Sequence, residues 1–262
     1  MNKMIDISVG GLSPTINWAH LKKQEFLLPP KNEQSLLAEL FWAMDKVEVN
    51  SELILKNLQI FFISSLESFI KDTKNFISLG NIKCQFFKGV SNYDREPGKV
   101  KLLPSGSIFP RKIKEKNIKN ISSVNKNDKS KELIKGDILF NSGGVGTLGR
   151  SHFFDLDANN FFSDSFVINI RINDAKFINK FIYYIFQSIH IQKQIRENTK
   201  GTTGITSISI DSLENFKIPN ISINDQKKIV KRLEMIESSI EIANIKKEKN
   251  KHLQKSLINK IL

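Results

Sequence analysis

The stretch TTGITSISIDSLENFKIPNISINDQ, residues 202–226, has a counterpart near the other end of the chain, GGLSPTINWAHLKKQEFLLPPKNEQ, residues 10–34. Leu213 and Leu21 each stand thirteen residues before a glutamine, Gln226 and Gln34. Both stretches pass through a Gly/Thr/Ser-rich turn, an Ile-containing strand, an aromatic residue (Phe216, Phe26) and proline (Pro219, Pro29-Pro30). Each then opens a long helical pattern. Self-similarity of this kind marks a repeated structural unit and is read before any single motif.

In the first helical pattern Leu40, Met44, Val47, Ser51, Ile54, Leu58, Phe61, Ser65 and Ser68 alternate at spacings of four and three. In the second, Ile229, Leu233, Ile236, Ile240, Ala243, Lys247, Asn250, Gln254, Leu257 and Ile261 do the same. Such a seam is the heptad signature, here diluted by polar residues in the middle. One amphipathic helix is commonly just a packing face. Two with matching lead-ins, about 192 residues apart, predict a paired helical coiled coil. Each helix of about 35 residues reaches roughly 50 Å; a rod of that length spaces what it carries and performs no chemistry.

Residues 75–216 have a different texture. Residues 82–90 and 99–108 read as β-rich, with turns at Pro97-Gly98 and Pro104-Ser105-Gly106. A basic, Asn/Ser-rich stretch at 112–135 reads as a loop or ragged hairpin. Residues 161–172 (FFSDSFVINIRI) read as a strand, and 174–198 as a helix with Phe177, Phe181, Tyr184, Ile185 and Ile189 on one face. The predicted class is α+β.

Within that region residues 135–150, KGDILFNSGGVGTLGR, run from a β-prone tetrad into Gly143, Gly144, Gly146 and Gly149. Gly144–Gly149 matches G-x-G-x-x-G, a pattern that holds a pyrophosphate only when its last glycine opens a helix. The next eleven residues, RSHFFDLDANN, have no helical period, and the loop lacks the Gly-Lys-Ser/Thr triplet of a P-loop. A glycine-turned hairpin is therefore expected rather than a nucleotide site, and no cofactor is expected.

Composition narrows the function. The 262 residues carry 40 Lys+Arg against 27 Asp+Glu, a net charge of +13 that favours a polyanionic partner, nucleic acid first and an anionic membrane surface second. A Lys-rich proteome gives the same excess without function. The single cysteine, Cys84, points to a reducing cytoplasm. Apolar runs at 58–70 and 177–191 are too short and interrupted to span a bilayer. His20, His152, His190 and His252 lack ligand spacing for zinc. No Gly-x-Ser-x-Gly elbow, no Asp/Asn-Pro-Pro-aromatic methyltransferase motif and no nuclease carboxylate cluster stands out, so no catalytic residue is assigned; Cys84 as a nucleophile is outweighed by an incidental thiol.

DNA binding fits better. Arg111, Lys112 and Lys114 in the basic run, with Lys200 further on, can neutralise phosphates. Asn141, Ser142 and Arg150 on or beside the glycine loop are residue types that read base edges. The bland reading is a solvated basic loop beside a structural turn.

The order of these features resembles the specificity subunit of Type I restriction-modification enzymes. The residues that carry the likeness are Gly136-Asp137-Ile138-Leu139-Phe140 with its glycine turn and Gly149-Arg150, the Tyr183-Tyr184 helix, the Gly201-Thr202-Thr203 turn, the Leu…Phe-x-Ile-Pro…Gln lead-in and the terminal helix. The resemblance implies one β-rich target recognition domain flanked by two long helices in an antiparallel coiled coil. It divides the chain into the end of a first recognition domain (1–32), a spacer helix (33–74), a recognition domain (75–223) and a second spacer helix (224–262). It implies a non-catalytic, cytoplasmic subunit that reads one half of a bipartite sequence on double-stranded DNA and docks methylase subunits. A motor-nuclease subunit joins the full complex, a second chain of the same type can complete the pair, and Thr202 and Thr203 join the candidate DNA contacts. The rival reading is a coiled-coil assembly protein whose basic domain binds protein or RNA.

Overall fold

Proline suits the entry to a helix and not its interior, and Pro29-Pro30 and Pro219 each precede one of the two long helices. The computed structural model describes residues 15–25, 29–157, 159–199 and 206–261. The chain forms α1 (Trp18–Leu21), α2 (Lys31–Asp72), β1 (Phe76–Ser78), β2 (Cys84–Lys88), β3 (Tyr93–Asp94) and β4 (Val100–Leu103). Next come β5 (Ile108–Phe109), β6 (Lys112–Ile113), β7 (Lys119–Ile121), β8 (Ser123–Val124), β9 (Ile138–Asn141) and β10 (Ser151–Phe153). The last elements are β11 (Phe161–Ser163), β12 (Val167–Ile172), α3 (Asn179–Phe186), α4 (Ile189–Asn198), α5 (Ile210–Glu214), β13 (Lys217–Pro219) and α6 (Ile223–Ile261). The class is α+β, as expected.

The repeat has a physical counterpart. Gln34 Nε2 donates to the Pro29 carbonyl at 2.7 Å, and Gln226 Nε2 to the Ile221 carbonyl at 3.1 Å, so each glutamine closes on the backbone five residues earlier. Gln226, fully buried, also donates to Lys176 O and accepts from Ile178 N.

The chain divides into two units, Met1–Gln59 with Ser238–Leu262, and Ile60–Glu237. In the first, the helices run antiparallel. Lys247 meets Glu52 at 2.8 Å, Lys251 meets Glu48 at 3.3 Å and Gln254 donates to Asp45 at 3.0 Å, so numbers rise on α6 as they fall on α2. The seam read on α6 matches its burial: Leu233, Ile236 and Ile240 are buried, and Ala243, Lys247, Asn250, Gln254 and Leu257 are half-buried. On α2 one column is displaced. Met44, Ser51, Leu58 and Ser65 turn inward, but the alternate members are Glu48, Leu55, Phe62 and Phe69 rather than Val47, Ile54, Phe61 and Ser68. Adjacent apolar pairs such as Ile54-Leu55 and Phe61-Phe62 leave the period unable to choose between columns. The same apolar breadth gives α2 an 18-residue window of mean hydropathy 1.4, enough by length and composition to cross a membrane, contrary to the expectation from its interrupted runs. Within the second unit that apolar surface is used against protein: Phe62 packs edge-on against Tyr184 and Phe69 against Phe181.

The second unit is built on a four-stranded antiparallel sheet in the order β10-β9-β12-β2. The other strands form a three-stranded sheet, β11-β4-β7, and the two-stranded ladders β1-β13, β3-β8 and β5-β6. Residues 161–172 are not one strand. Asp164 breaks them into β11 and β12, its carboxylate accepting from Phe166 N and from Ser105 N. Nor is 174–198 one helix. Ser188 caps α4 by accepting from Ile191 N while donating to Ile185 O. Phe181 to Phe186 are all buried, so beyond its first two residues α3 has no solvent face for the helical period to report.

Candidate nucleic-acid interface

The glycine turn is a hairpin loop: β9 and β10 pair Phe140 with Ser151 and Leu139 with His152. At its base Asn141 N donates to Arg150 O and Gly149 N to Asn141 O, so two residues oppose one. With Gly149 at φ +80°, this is a bulge of the kind that needs glycine in its first position and re-aims the residue after it. A Cβ at Gly149 would also come within 3.2 Å of Ile195 Cδ1. The bulge aims Arg150 at Phe109, with Cζ 4.3 Å from the ring centroid. Lys114 Nζ lies 4.2 Å from the same centroid, and exposed Lys112 pairs with Phe109 across the β5-β6 ladder. Two sequence-predicted cations thus stack on one aromatic ring, and a third stands across the ladder from it. Among the described residues none of the three has a carboxylate partner, whereas Arg111, Lys131, Lys180, Lys228, Lys247 and Lys251 do.

The other candidates are placed differently. Asn141 is fully buried and donates to Ser105 O at 2.9 Å. Ser142 is 5% exposed and donates through its hydroxyl to Phe166 O at 2.8 Å. Neither side chain can meet a base without rearrangement of the strand end. Arg111 occupies the β5-β6 turn at φ +66°. Its amide donates to Tyr183 Oη, and its guanidinium lies 4.5 Å from the Phe62 centroid and 3.4 Å from Glu237. Lys200, Thr202 and Thr203 lie outside the described residues.

Residues to which the sequence assigned no such role surround these side chains. Asp137, of the Gly-Asp-Ile-Leu-Phe run, is 1% exposed and receives Arg171 on both carboxylate oxygens, at 2.8 and 2.7 Å. That hydrogen bonding raises the Arg171 pKa further. His152, buried beside Phe109, donates to the Phe109 carbonyl from Nδ1 in its neutral form, at 3.1 Å. Burial holds its pKa below the ordinary 6.5, against the Phe109 hydrogen bond and Asp155, which raise it. Because the folded pKa is depressed, the unfolded chain takes up a proton first as pH falls through 6.5. Stability should therefore drop by up to about 1.4 kcal/mol per pH unit below that point. Melting temperatures between pH 7.5 and 5.5 check this: His152→Gln should flatten the acid limb, and an unchanged limb would reassign the loss to another group. Cys84 is pushed up to about 11 by burial and by Glu214 and Asp174, which leaves its thiol protonated and a poor nucleophile at neutral pH. Among the described residues no cluster of three His, Cys, Asp or Glu could hold a metal ion.

This architecture, a β-rich domain in a chain with two long antiparallel helices, is that of the S subunits of type I restriction-modification systems. The S subunit from M. genitalium superposes with a TM-score of 0.62 at 17% identity, covering 100% of this chain and 69% of that one. A second structure, from work on complex assembly and conformational transition of the type I R-M system, gives 0.65 at 15% identity, covering 99% and 67%. At such identities the likeness concerns the fold. Residues 67–252 match the family model described as the Type I restriction modification DNA specificity domain, and the chain belongs to that family. It is also 25% identical to the protein of Methanocaldococcus jannaschii named as the specificity subunit of type I restriction enzyme MjaX, over 95% of this chain. The chain spans 60% of that relative's length.

Proposed function

We propose that this chain is a non-catalytic DNA-reading subunit of a Type I restriction-modification complex, contacting one half of a bipartite target on double-stranded DNA. Lys114 and Arg150 stacked on Phe109, with Lys112 across the β5-β6 ladder and no carboxylate partner on any of the three among the described residues, are the observation that carries this reading. Like charges held together without carboxylates have their natural counterion in a phosphate backbone. Arg150, set on a rigid bulge, is suited to a base edge, since a guanidinium can bond guanine bidentately. Lys112 and Lys114 serve phosphates. The helix pair spaces recognition units and offers the docking surface for methylase subunits; the motor-nuclease subunit and a second chain of the same type would join the full cytoplasmic assembly.

Co-purification with the methylase subunit, followed by mapping of methylated adenines, tests the reading. Arg150→Ala should change the methylated motif at one position and cost about 1–3 kcal/mol on the original sequence. Lys114→Ala should weaken binding equally on all sequences and reduce the slope of log K against log salt by about 1. Equal loss on every sequence from both substitutions would sink this division of labour. A chain that ignores duplex DNA and methylase alike would favour an assembly protein.

A further inference from the structure

Phe166 is an exposed aromatic on an unusually well-fastened backbone. Its amide donates to Asp164 Oδ1 at 3.0 Å. Its carbonyl accepts from both the amide and the hydroxyl of Ser142, at 2.9 and 2.8 Å. Asp164 is itself tied to Ser105 N, and Val167 N closes the turn onto Asp164 O. Yet the Phe166 side chain is 55% exposed, and Val145 at the tip of the glycine loop is 83% exposed. A Cβ on Gly143 would stand 3.7 Å from the Phe166 ring and 3.7 Å from Ser207 Cβ, so one side of the ring lies along the Gly143–Ser207 bridge. Ser142, a residue type suited to reading bases, is committed here to holding a phenyl ring out to solvent.

The position of that ring indicates its partner. Asn141 pairs with Val167 on one side and faces the Gly149–Arg150 bulge on the other. Adjacent strands lie about 4.8 Å apart, so Phe166 and Arg150 leave the same sheet end from backbones roughly 10 Å apart, about three base-pair rises. Lys119, exposed, pairs with Leu102 across the β4-β7 ladder, one residue from Leu103, whose carbonyl accepts from Asp164 N. An apolar tip between cationic groups suits a DNA groove, where a ring with no polar atom can discriminate only by apolar contact. The thymine 5-methyl is the apolar group that the major groove displays.

We propose that Phe166 is a specificity-determining residue that contacts a thymine methyl group in the target. This rests on the DNA-reading function proposed above. The experiment uses the chain with its methylase subunit and duplexes carrying the mapped motif, with its thymines either intact or replaced by deoxyuridine. The wild type should bind the deoxyuridine duplex about fourfold more weakly, the worth of one buried methyl group. Phe166→Ala should bind the thymine duplex more weakly and treat both duplexes alike, with a small change in melting temperature because more than half of the residue is exposed. Phe166→Leu should keep part of the discrimination. A wild type indifferent to the methyl group, or Phe166→Ala that still discriminates, would overturn the assignment. Failure of the wild-type complex to bind or methylate DNA would overturn the DNA-reading function itself and this assignment with it.

Discussion

Asp137→Ala should lower the unfolding free energy by about 3–5 kcal/mol, the usual cost of stranding one partner of a buried ion pair. Asp137 is 1% exposed and Arg171 17% by side chain. The carboxylate takes Nε on Oδ1 and Nη2 on Oδ2, and Oδ2 also accepts Ile134 N at 2.9 Å. Without it Arg171 keeps, among the described residues, the Glu132 carbonyl at 2.8 Å and the Phe87 ring at 5.2 Å. The charge is then only partly compensated in a site that water enters poorly, and the turn through Gly136, at φ +98°, loses its side-chain clasp. Denaturant unfolding of Asp137→Ala, Arg171→Leu and the double variant separates the causes. If the stranded charge dominates, the double variant should recover part of the loss, because an apolar pair of similar volume is often neutral. A double variant as unstable as the sum would place the cost in the turn instead.

The Asp137–Arg171 pair also shows where sequence reading stops. The Gly-Asp-Ile-Leu-Phe run is recognisable as a strand with a turn before it, since Gly136 and the β-prone tetrad are local signals. Its ionic partner, 34 residues away in β12, leaves no local trace. The glycine loop is legible as a hairpin by elimination, because nothing helical follows Gly149. That Gly149 makes a bulge which sends Arg150 onto Phe109 depends on register, which composition does not report. Asn141 and Ser142 have the chemistry of base readers, but their burial is set by Ser105 and Phe166, brought in from other turns. In α2 the seam period is legible and its phase is not, since Phe61 and Phe62 are equally apolar. Phe166 sits within a run that reads as continuous strand. Its exposure follows from the Asp164 turn, for which the Ser-Asp-Ser triplet at 163–165 was the available signal.

Phe62→Ala should cost about 3–5 kcal/mol while leaving the salt dependence of DNA binding unchanged wherever the variant is folded. Phe62 is fully buried where three elements and a turn meet. Its ring stands edge-on to Tyr184 at 5.6 Å, and the Arg111 guanidinium lies 4.5 Å from its centroid. Tyr184 Oη donates to Glu237 Oε2 at 2.8 Å, and Lys180 reaches Glu234 at 3.0 Å. Burial and the Glu237 charge push the Tyr184 phenol far above its ordinary range, so it stays a donor throughout the working pH range. Removing the Phe62 ring opens a cavity beneath Arg111 and forfeits a cation–π contact worth about 0.5–2 kcal/mol. Arg111 makes the comparison informative, because its sequence position suggests a phosphate contact whereas its side chain is paired with Glu237. If Arg111 braces this junction, Arg111→Ala should destabilise the fold and leave the salt slope at its wild-type value. A slope reduced by about 1, as expected for Lys114→Ala, would return Arg111 to the phosphate-binding set. Arg111→Gly adds a second control: it too removes the side chain, but it relieves a left-handed backbone costing a non-glycine residue about 1–2 kcal/mol, so it should be the more stable of the two. With the slope unchanged in both, Arg111 belongs to the Phe62 junction, and the proposed phosphate contacts narrow to Lys112 and Lys114.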